Sequence, residues 1–280
     1  MTTPFTSSRL AVLRPFAVYA IVSFIQLGAL FVGAALLATL TKPLLMPALL
    51  LALVVASWWG APARRTPVVL LAAVGILFSW IGDVLLSTPG GLGFLLGLGS
   101  FFLAHLAYLV LFLGPLRTRR RISPASPASP AAPASPAAPI AQAAPISPAA
   151  PISPSSPISP LALVFVPWLV GLLVILGPHL GALFVPVALY GLVLGLAASA
   201  ALGTNRLTAI GGVLFLLSDT VLALRLFLPG FSLWQQDFVI MLLYVLGQGL
   251  IVLGTVRPTA DRARVHDTRV HDTRAQPDTP

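Results

Sequence analysis

Long apolar runs dominate the pattern of hydrophobic and polar positions along the chain. Eight continuous runs approach or reach the roughly 20 apolar residues that a helix needs to cross a bilayer. They cover residues 16–38, 43–60, 67–87, 92–114, 161–177, 181–202, 207–228 and 238–256. Because apolar residues follow one another without alternating with polar ones, the pattern favours helices over the strands of a β-barrel. The sequence therefore predicts an all-α polytopic membrane protein with eight transmembrane helices.

The composition excludes several classes of protein. Of the 280 residues, 58% are hydrophobic and 8% are charged, whereas a soluble domain carries about a quarter charged residues. The chain has no cysteine, and all its acidic residues are aspartates. Thiolate metal sites, cysteine nucleophiles and the H-E-x-x-H zinc motif are therefore excluded. The first apolar run is too long for a cleavable signal peptide and has no convincing cleavage site.

The placement of the basic residues predicts the orientation in the membrane. Of the 16 Lys and Arg residues, all but Lys42 and Arg225 fall on one side of the predicted spans. By the positive-inside rule, both termini then lie in the cytoplasm of a multi-pass protein, as in a bacterial inner (cell) membrane. The net charge of +9 is therefore a topology signal, and no nucleic-acid partner is expected. Arg225 is interpreted as an anchor at the membrane interface.

A proline-rich stretch divides the predicted spans into two groups. Residues 122–160 carry proline at nearly every third position, which matches the three-residue turn of polyproline II. We predict a stiff cytoplasmic linker between a first four-helix half (1–121) and a second (161–257), and a docking role for a Pro-binding partner stays open. Residues 258–280 repeat Arg-Val-His-Asp-Thr twice and are predicted to be a disordered basic tail.

The two predicted halves resemble each other. A single offset of 136 residues maps Gly75, Asp83 and Tyr108 onto Gly211, Asp219 and Tyr244. Since each half contains four spans, both halves would face the same way. The pattern predicts two parallel four-helix repeats, related by an axis along the membrane normal.

Few ionisable residues fall inside the apolar runs, and each is a functional candidate because hydrocarbon penalises charge. Asp83 lies in span three, Asp219 in span seven, His105 in span four, and Lys42 next to the start of span two. Further polar candidates are Tyr108, Tyr190, Ser218, Tyr244 and Gln248. If spans three, four, seven and eight surround one cavity, the two carboxyls meet there.

Two carboxyls that meet in a low dielectric do not both ionise easily, which provides a general acid beside a general base. Such a pair suits cleavage of an acetal-like or enol-ether bond through an oxocarbenium ion, and a site among membrane helices would take a lipid. The same pair would also serve a proton-coupled carrier, although Pro47 and Pro186 are the only helix breakers noted inside the spans. A third interpretation is a membrane protein that binds a partner through its Pro-rich stretch.

Five stretches resemble a known family. They are Lys42-Pro-Leu-Leu-Met-Pro47, Phe78-Ser-Trp-Ile-Gly-Asp83-Val-Leu-Leu86, Phe101-Phe-Leu-Ala-His105-Leu-Ala-Tyr108, Gly211-Gly-Val-Leu-Phe-Leu-Leu-Ser218-Asp219 and Tyr244-Val-Leu-Gly-Gln248. In this order and spacing the sequence resembles the YhhN-like membrane proteins, which include the lysoplasmalogenases. The resemblance covers all eight predicted spans, and the Pro-rich insertion departs from the compact family pattern.

The resemblance implies an ether hydrolase that cleaves the vinyl ether bond of a lysoplasmalogen. The products would be a fatty aldehyde and glycerophospho-ethanolamine or -choline, and the lysophospholipid and membrane lipid would be its partners. The resemblance also implies that no metal or organic cofactor is needed. The catalytic role carries over to Asp83 and Asp219 only, and Lys42 is expected to contact the phosphate. The remaining candidates for holding substrate or water are His105, Tyr108, Tyr190, Ser218, Tyr244 and Gln248.

Overall fold

The protein is described from a computed structural model that covers residues 13–59, 67–114 and 163–256. These three ranges contain helices and turns but no strand, as the sequence predicts. The Pro-rich linker at 122–160 and the basic tail at 258–280 lie outside the described residues, so their predicted structures stay predictions.

Nine α-helices occur in the described ranges, and they are numbered here in chain order. Three short 3₁₀ turns accompany them, at Arg14–Phe16, Lys42–Leu44 and Gly181–Leu183. The helices are α1 (Ala17–Phe31), α2 (Ala35–Thr41), α3 (Leu45–Trp59), α4 (Pro67–Leu86), α5 (Gly91–Leu113), α6 (Phe165–Leu180), α7 (Phe184–Leu202), α8 (Arg206–Phe227) and α9 (Gln236–Val256).

Seven helical segments in the described ranges are long and apolar enough to cross a membrane. The segment Ala35–Trp58 combines α2 and α3 across the turn at Lys42, and Phe165–Leu202 combines α6 and α7. The chain is therefore a multi-pass helical membrane protein, and the predicted number of eight crossings is taken up below.

The predicted boundary between the first two spans is wrong. The span predicted at 16–38 ends at Phe31, and the next helix begins at Ala35 rather than at residue 43. Gly33 has a φ of +74°, and the Ala34 N–H donates to the Ala29 carbonyl at 2.8 Å. This is a Schellman-type helix end, which needs a left-handed residue. Apolar residues flank the glycine on both sides, so the hydrophobic pattern did not reveal the stop.

The segment Phe165–Leu202 is a helical hairpin rather than one straight helix. Gly181 has a φ of +51° and marks the turn between α6 and α7. The predicted spans 161–177 and 181–202 correspond to these two helices, with α6 running on to Leu180. The two helices are antiparallel, because Gly177 faces Phe184, Gly191 faces Leu169 and Gly195 faces Trp168.

The packing buries one face of α3 and leaves apolar side chains on the outside of the bundle. Leu45, Met46, Leu49 and Leu53 of α3 are fully buried, whereas Phe24, Leu36 and Val174 are 79%, 75% and 69% exposed. Water-soluble proteins rarely expose apolar surface on this scale. Lipid is the environment in which such a surface is stable.

Close contact between α8 and α9 sets the position of Asp219. The side chain of Asn205 caps α8 by accepting from the Thr208 N–H at 3.1 Å, and its amide donates to the Gly254 carbonyl at 3.0 Å. Farther along, a Cβ atom on Gly211 would lie 2.7 Å from the Gly247 carbonyl oxygen. Only glycine permits this crossing.

Replacing Gly211 with alanine should therefore destabilise the protein. Alanine improves helix propensity by about 1 kcal/mol, but the clash with the α9 backbone should cost more, with overpacking typically costing about 1–3 kcal/mol. Gly28→Ala is the matched control, because no atom lies within 4 Å of its added Cβ. Thermal unfolding of both variants in detergent should show a lower Tm for Gly211→Ala alone. Equal Tm values would contradict the close crossing.

Candidate active site

A cavity of about 650 Å³ lies at one end of the bundle. We call this the cavity end: it is where α4 and α8 finish and α9 begins. Helices α1, α2, α4, α5, α8 and α9 and the turn at Lys42 all contribute to its wall. The polar and charged lining residues are Gln26, Thr39, Lys42, Asp83, Ser87, Ser218, Asp219, Arg225, Asp237 and Tyr244.

Asp83 lies in the last turn of α4 and is 6% exposed. The Tyr244 hydroxyl of α9 donates to its Oδ2 at 2.7 Å. The Tyr244 ring is held in turn by edge-on contacts with Phe101 and Phe215. The carboxyl is therefore fixed by a rigid phenol rather than by another charge.

Asp219 lines the same cavity from α8. Its Oδ2 accepts a hydrogen bond from the Tyr190 hydroxyl of α7. Asp83 and Asp219 both line this one cavity. The described structure thus brings together the two carboxyls that the sequence analysis singled out.

Lys42 enters the cavity from the 3₁₀ turn that interrupts the second membrane segment. The Trp80 indole N–H donates to the Pro43 carbonyl at 2.9 Å and holds this turn against α4. The Lys42 ammonium donates to the Ser87 hydroxyl at 3.2 Å, and Lys42 and Asp83 line the same cavity. A cation therefore stands beside the carboxyl pair.

Three of the predicted site residues lie behind the cavity rather than in its wall. The Tyr108 hydroxyl donates to the Gln248 Oε1 at 2.7 Å, and the Gln248 amide donates to the Ser79 hydroxyl at 3.0 Å. His105 Nδ1 is 2.7 Å from the Phe101 carbonyl, and its ring packs edge-on against Phe215. His105, Tyr108 and Gln248 are absent from the cavity lining.

Ser218 and Tyr190 hold intermediate positions. Ser218 lines the cavity, but its hydroxyl donates to the Ile240 carbonyl at 2.9 Å. Tyr190 reaches the site only through its hydrogen bond to Asp219. The 136-residue offset would pair Asp219 with Tyr108 as Asp83 pairs with Tyr244, and the observed hydrogen bonds do not follow this equivalence.

Sequence reasoning missed several polar residues at the cavity. Arg225 forms an ion pair with Asp237, although it was interpreted as an interface anchor. Gln26 is hydrogen-bonded to Thr41, and both stand in largely apolar stretches. Asp237 lies in the first turn of α9, just after a turn of the chain. Its position 12 residues after Arg225 was the one feature of the sequence that could have indicated this ion pair.

The described ranges contain no group of three or more His, Asp, Glu or Cys side chains that could hold a metal ion. Fold and cavity together define a polytopic helical membrane protein with a paired-carboxyl pocket at one end of the bundle. The chain belongs to the YhhN family, whose model matches residues 37–144 and 149–255. No curated protein and no solved structure matched it.

Gln248→Leu should destabilise the protein by breaking the bonds that join α4, α5 and α9. Each buried polar group left without its partner costs about 1–3 kcal/mol, and both Tyr108 and Ser79 lose the amide. Gln236→Leu is the matched control, because the Gln236 Oε1 has no hydrogen-bond partner in the described structure. Thermal unfolding should show a clear loss of Tm for Gln248→Leu only. Similar Tm values for the two variants would show that this hydrogen-bond network does not stabilise the protein.

Proposed function

We propose that this protein is an integral membrane hydrolase that cleaves the vinyl ether bond of lysoplasmalogens. The observation that carries the proposal is that Asp83 and Asp219 line one cavity among apolar helices. Family membership supports the same chemistry. Two carboxyls in such a place supply a proton donor and a proton acceptor at neutral pH.

The proposed reaction adds water across the vinyl ether in two steps. One protonated Asp donates its proton to the vinyl carbon that does not bear oxygen, which leaves an oxocarbenium ion. The other carboxylate stabilises this cation and takes a proton from water as the water oxygen bonds to the cationic carbon. The resulting hemiacetal collapses to a fatty aldehyde and the free glycerol hydroxyl of the glycerophospho-base.

Other residues have supporting roles in this proposal. The Lys42 ammonium binds the lipid phosphate as a point charge. Tyr244 and Tyr190 orient the two carboxyls through their hydroxyls, and Ser218 lies in the wall where glycerol oxygens would bind. The remaining predicted residues (His105, Tyr108 and Gln248) hold this wall in place from behind rather than touching substrate.

We further propose eight crossings with both termini in the cytoplasm of a bacterial inner membrane. The 38 residues of Phe165–Leu202 would be about 57 Å long as one helix, nearly twice the thickness of the hydrocarbon core. The antiparallel hairpin supports counting this segment as two crossings. We propose that the linker joins two four-helix parts related as parallel repeats. With both termini in the cytoplasm, α4 and α8 then run outward, so the cavity end lies on the outer side.

Cysteine labelling tests this topology, because the chain has no cysteine of its own. In intact cells, Leu222→Cys in the cavity wall should react with a membrane-impermeant maleimide supplied from outside. Leu216→Cys is the matched control on the same helix, because Leu216 is buried outside the cavity. Arg206→Cys, at the exposed start of α8 opposite the cavity end, should react only after the membrane is opened. Reaction of Arg206→Cys in intact cells would reverse the proposed orientation.

A proton-coupled carrier is the second candidate, and one observation favours it. The segment Ala35–Trp58 is interrupted by the 3₁₀ turn at Lys42–Leu44, beside the cavity. Transporters often place such broken helices at their binding sites. Solute uptake that responds to a pH gradient, without aldehyde release, would favour the carrier over the hydrolase.

Replacement of either proposed catalytic aspartate should strongly slow aldehyde release. Purified Asp83→Asn and Asp219→Asn proteins should each release aldehyde from a lysoplasmalogen at least about a hundredfold more slowly than wild type, the usual scale of a lost acid or base. Tyr244→Phe should slow the reaction less, because the carboxyl remains.

Tyr19→Phe is the matched control for these variants. Its hydroxyl donates to the Val245 carbonyl at 2.7 Å, and Tyr19 does not line the cavity. Tyr19→Phe should therefore keep the wild-type rate. Wild-type rates in both aspartate variants would end the proposed mechanism.

A further inference from the structure

The cavity continues along α8 from the carboxyl level toward the end of the helix. Asp219, Leu222, Arg225 and Leu226 all line it, with the spacing of one helical face. Asp219 and Arg225 are six residues apart, which is about 9 Å along the helix axis. The cavity is therefore long enough to hold more than the reacting bond.

Arg225 has unused hydrogen-bond donors at this position. Its Nη1 is paired with the Asp237 carboxylate, but a guanidinium carries five N–H donors. The two side chains are 37% and 49% exposed, so both remain accessible. Lys42 lines the same cavity. Lys42 and Arg225 are therefore two cations in the wall of one cavity, and such a pair suits a phosphate.

A second cavity of about 400 Å³ adjoins the first and shares Leu30, Ala38 and Asp237 with it. Its polar lining consists of Gln235, Gln236 and Asp237, and Asp237 is the one charged residue among the described side chains of this wall. The Asp237 carboxylate pairs with Arg225 through its Oδ1, and its second oxygen, beside the two amide groups, suits a cationic group better than an anionic one.

We propose that Arg225 and Asp237 are specificity-determining residues of this site, with Arg225 recognising the phosphate and Asp237 the ammonium of the lysolipid headgroup. The phosphate binds between Lys42 and Arg225, and the ammonium lies beside Asp237. Five bonds separate the ether oxygen of such a lipid from its phosphorus, an extended distance of roughly 6 Å. When the ether bond of the lipid lies at the level of the two carboxyls, the phosphate of the same lipid therefore lies near Arg225. This inference rests on the proposed hydrolase function for the position of the lipid.

Three substrates and three variants test the assignment on the full-length protein. The substrates are 1-alkenyl lysolipids with a phosphoethanolamine or a phosphoglycerol headgroup, and 1-alkenyl glycerol, which has no phosphate. Arg225→Gln should raise KM for both phosphate-bearing lipids about tenfold, the value of one charge-assisted hydrogen bond. It should leave kcat within twofold and leave 1-alkenyl glycerol unaffected. Asp237→Asn should raise KM for the phosphoethanolamine lipid but not for the phosphoglycerol lipid.

Arg206→Gln is the matched control, because Arg206 begins the same helix at its opposite end. It should change no KM. An equal rise in KM with and without phosphate would show that the ion pair only holds α8 to α9, and would overturn the proposal. Unchanged KM values in Arg225→Gln would overturn it as well.

A binding measurement separates failure of this inference from failure of the proposed function. If wild type releases no aldehyde from any alkenyl lipid, the hydrolase proposal fails. Calorimetric titration with ester-linked lysophosphatidylethanolamine then decides the headgroup assignment alone. Binding about tenfold weaker in Arg225→Gln than in wild type supports the assignment, and equal binding overturns it.

Discussion

Placing two carboxyl groups inside an apolar bundle is the constraint on which the rest of this structure depends. A carboxyl removed from water needs hydrogen bonds to offset its lost solvation. Tyr244 supplies one to Asp83, and Tyr190 supplies one to Asp219. Because each pair spans two helices, the same bonds tie α4 to α9 and α7 to α8. The same two hydrogen bonds therefore position the carboxyls of the pocket and help to hold the helices of the bundle together.

The polarity of the interior changes in steps along the bundle. The neutral network of Tyr108, Gln248 and Ser79 lies behind the cavity and joins α4, α5 and α9. The rings of Phe101 and Phe215 pack edge-on against each other, and Phe101 lines the cavity. The charged side chains that line the cavity lie at the cavity end, whereas the exposed Arg206 lies at the opposite end of α8. Such an order lets a lipid keep its chain in an apolar region while its polar part meets polar groups.

Much of the architecture follows from the sequence, because a bilayer forces apolar runs into helices. The same logic found Asp83, Asp219 and Lys42, since charge inside such runs is rare. Periodicity did not reveal that Tyr108 and Gln248 face each other rather than the cavity. That choice depends on which helices are neighbours, and the sequence does not state it. The ion pair between Arg225 and Asp237 was not predicted for a related reason. Each residue taken alone looks like an ordinary charge at a helix end.

The bond between Asp83 and Tyr244 joins residues 161 positions apart in the chain. During synthesis at about 5–20 residues per second, roughly ten to thirty seconds pass between the two. For that interval α4 already carries its carboxyl, while the tyrosine whose hydroxyl will donate to it is still untranslated. Until α9 is made, the pocket is incomplete, and water or lipid headgroups have to solvate the Asp83 carboxyl in place of Tyr244. Nascent chains stalled before α9 would expose this vulnerable state to the quality-control machinery of the cell.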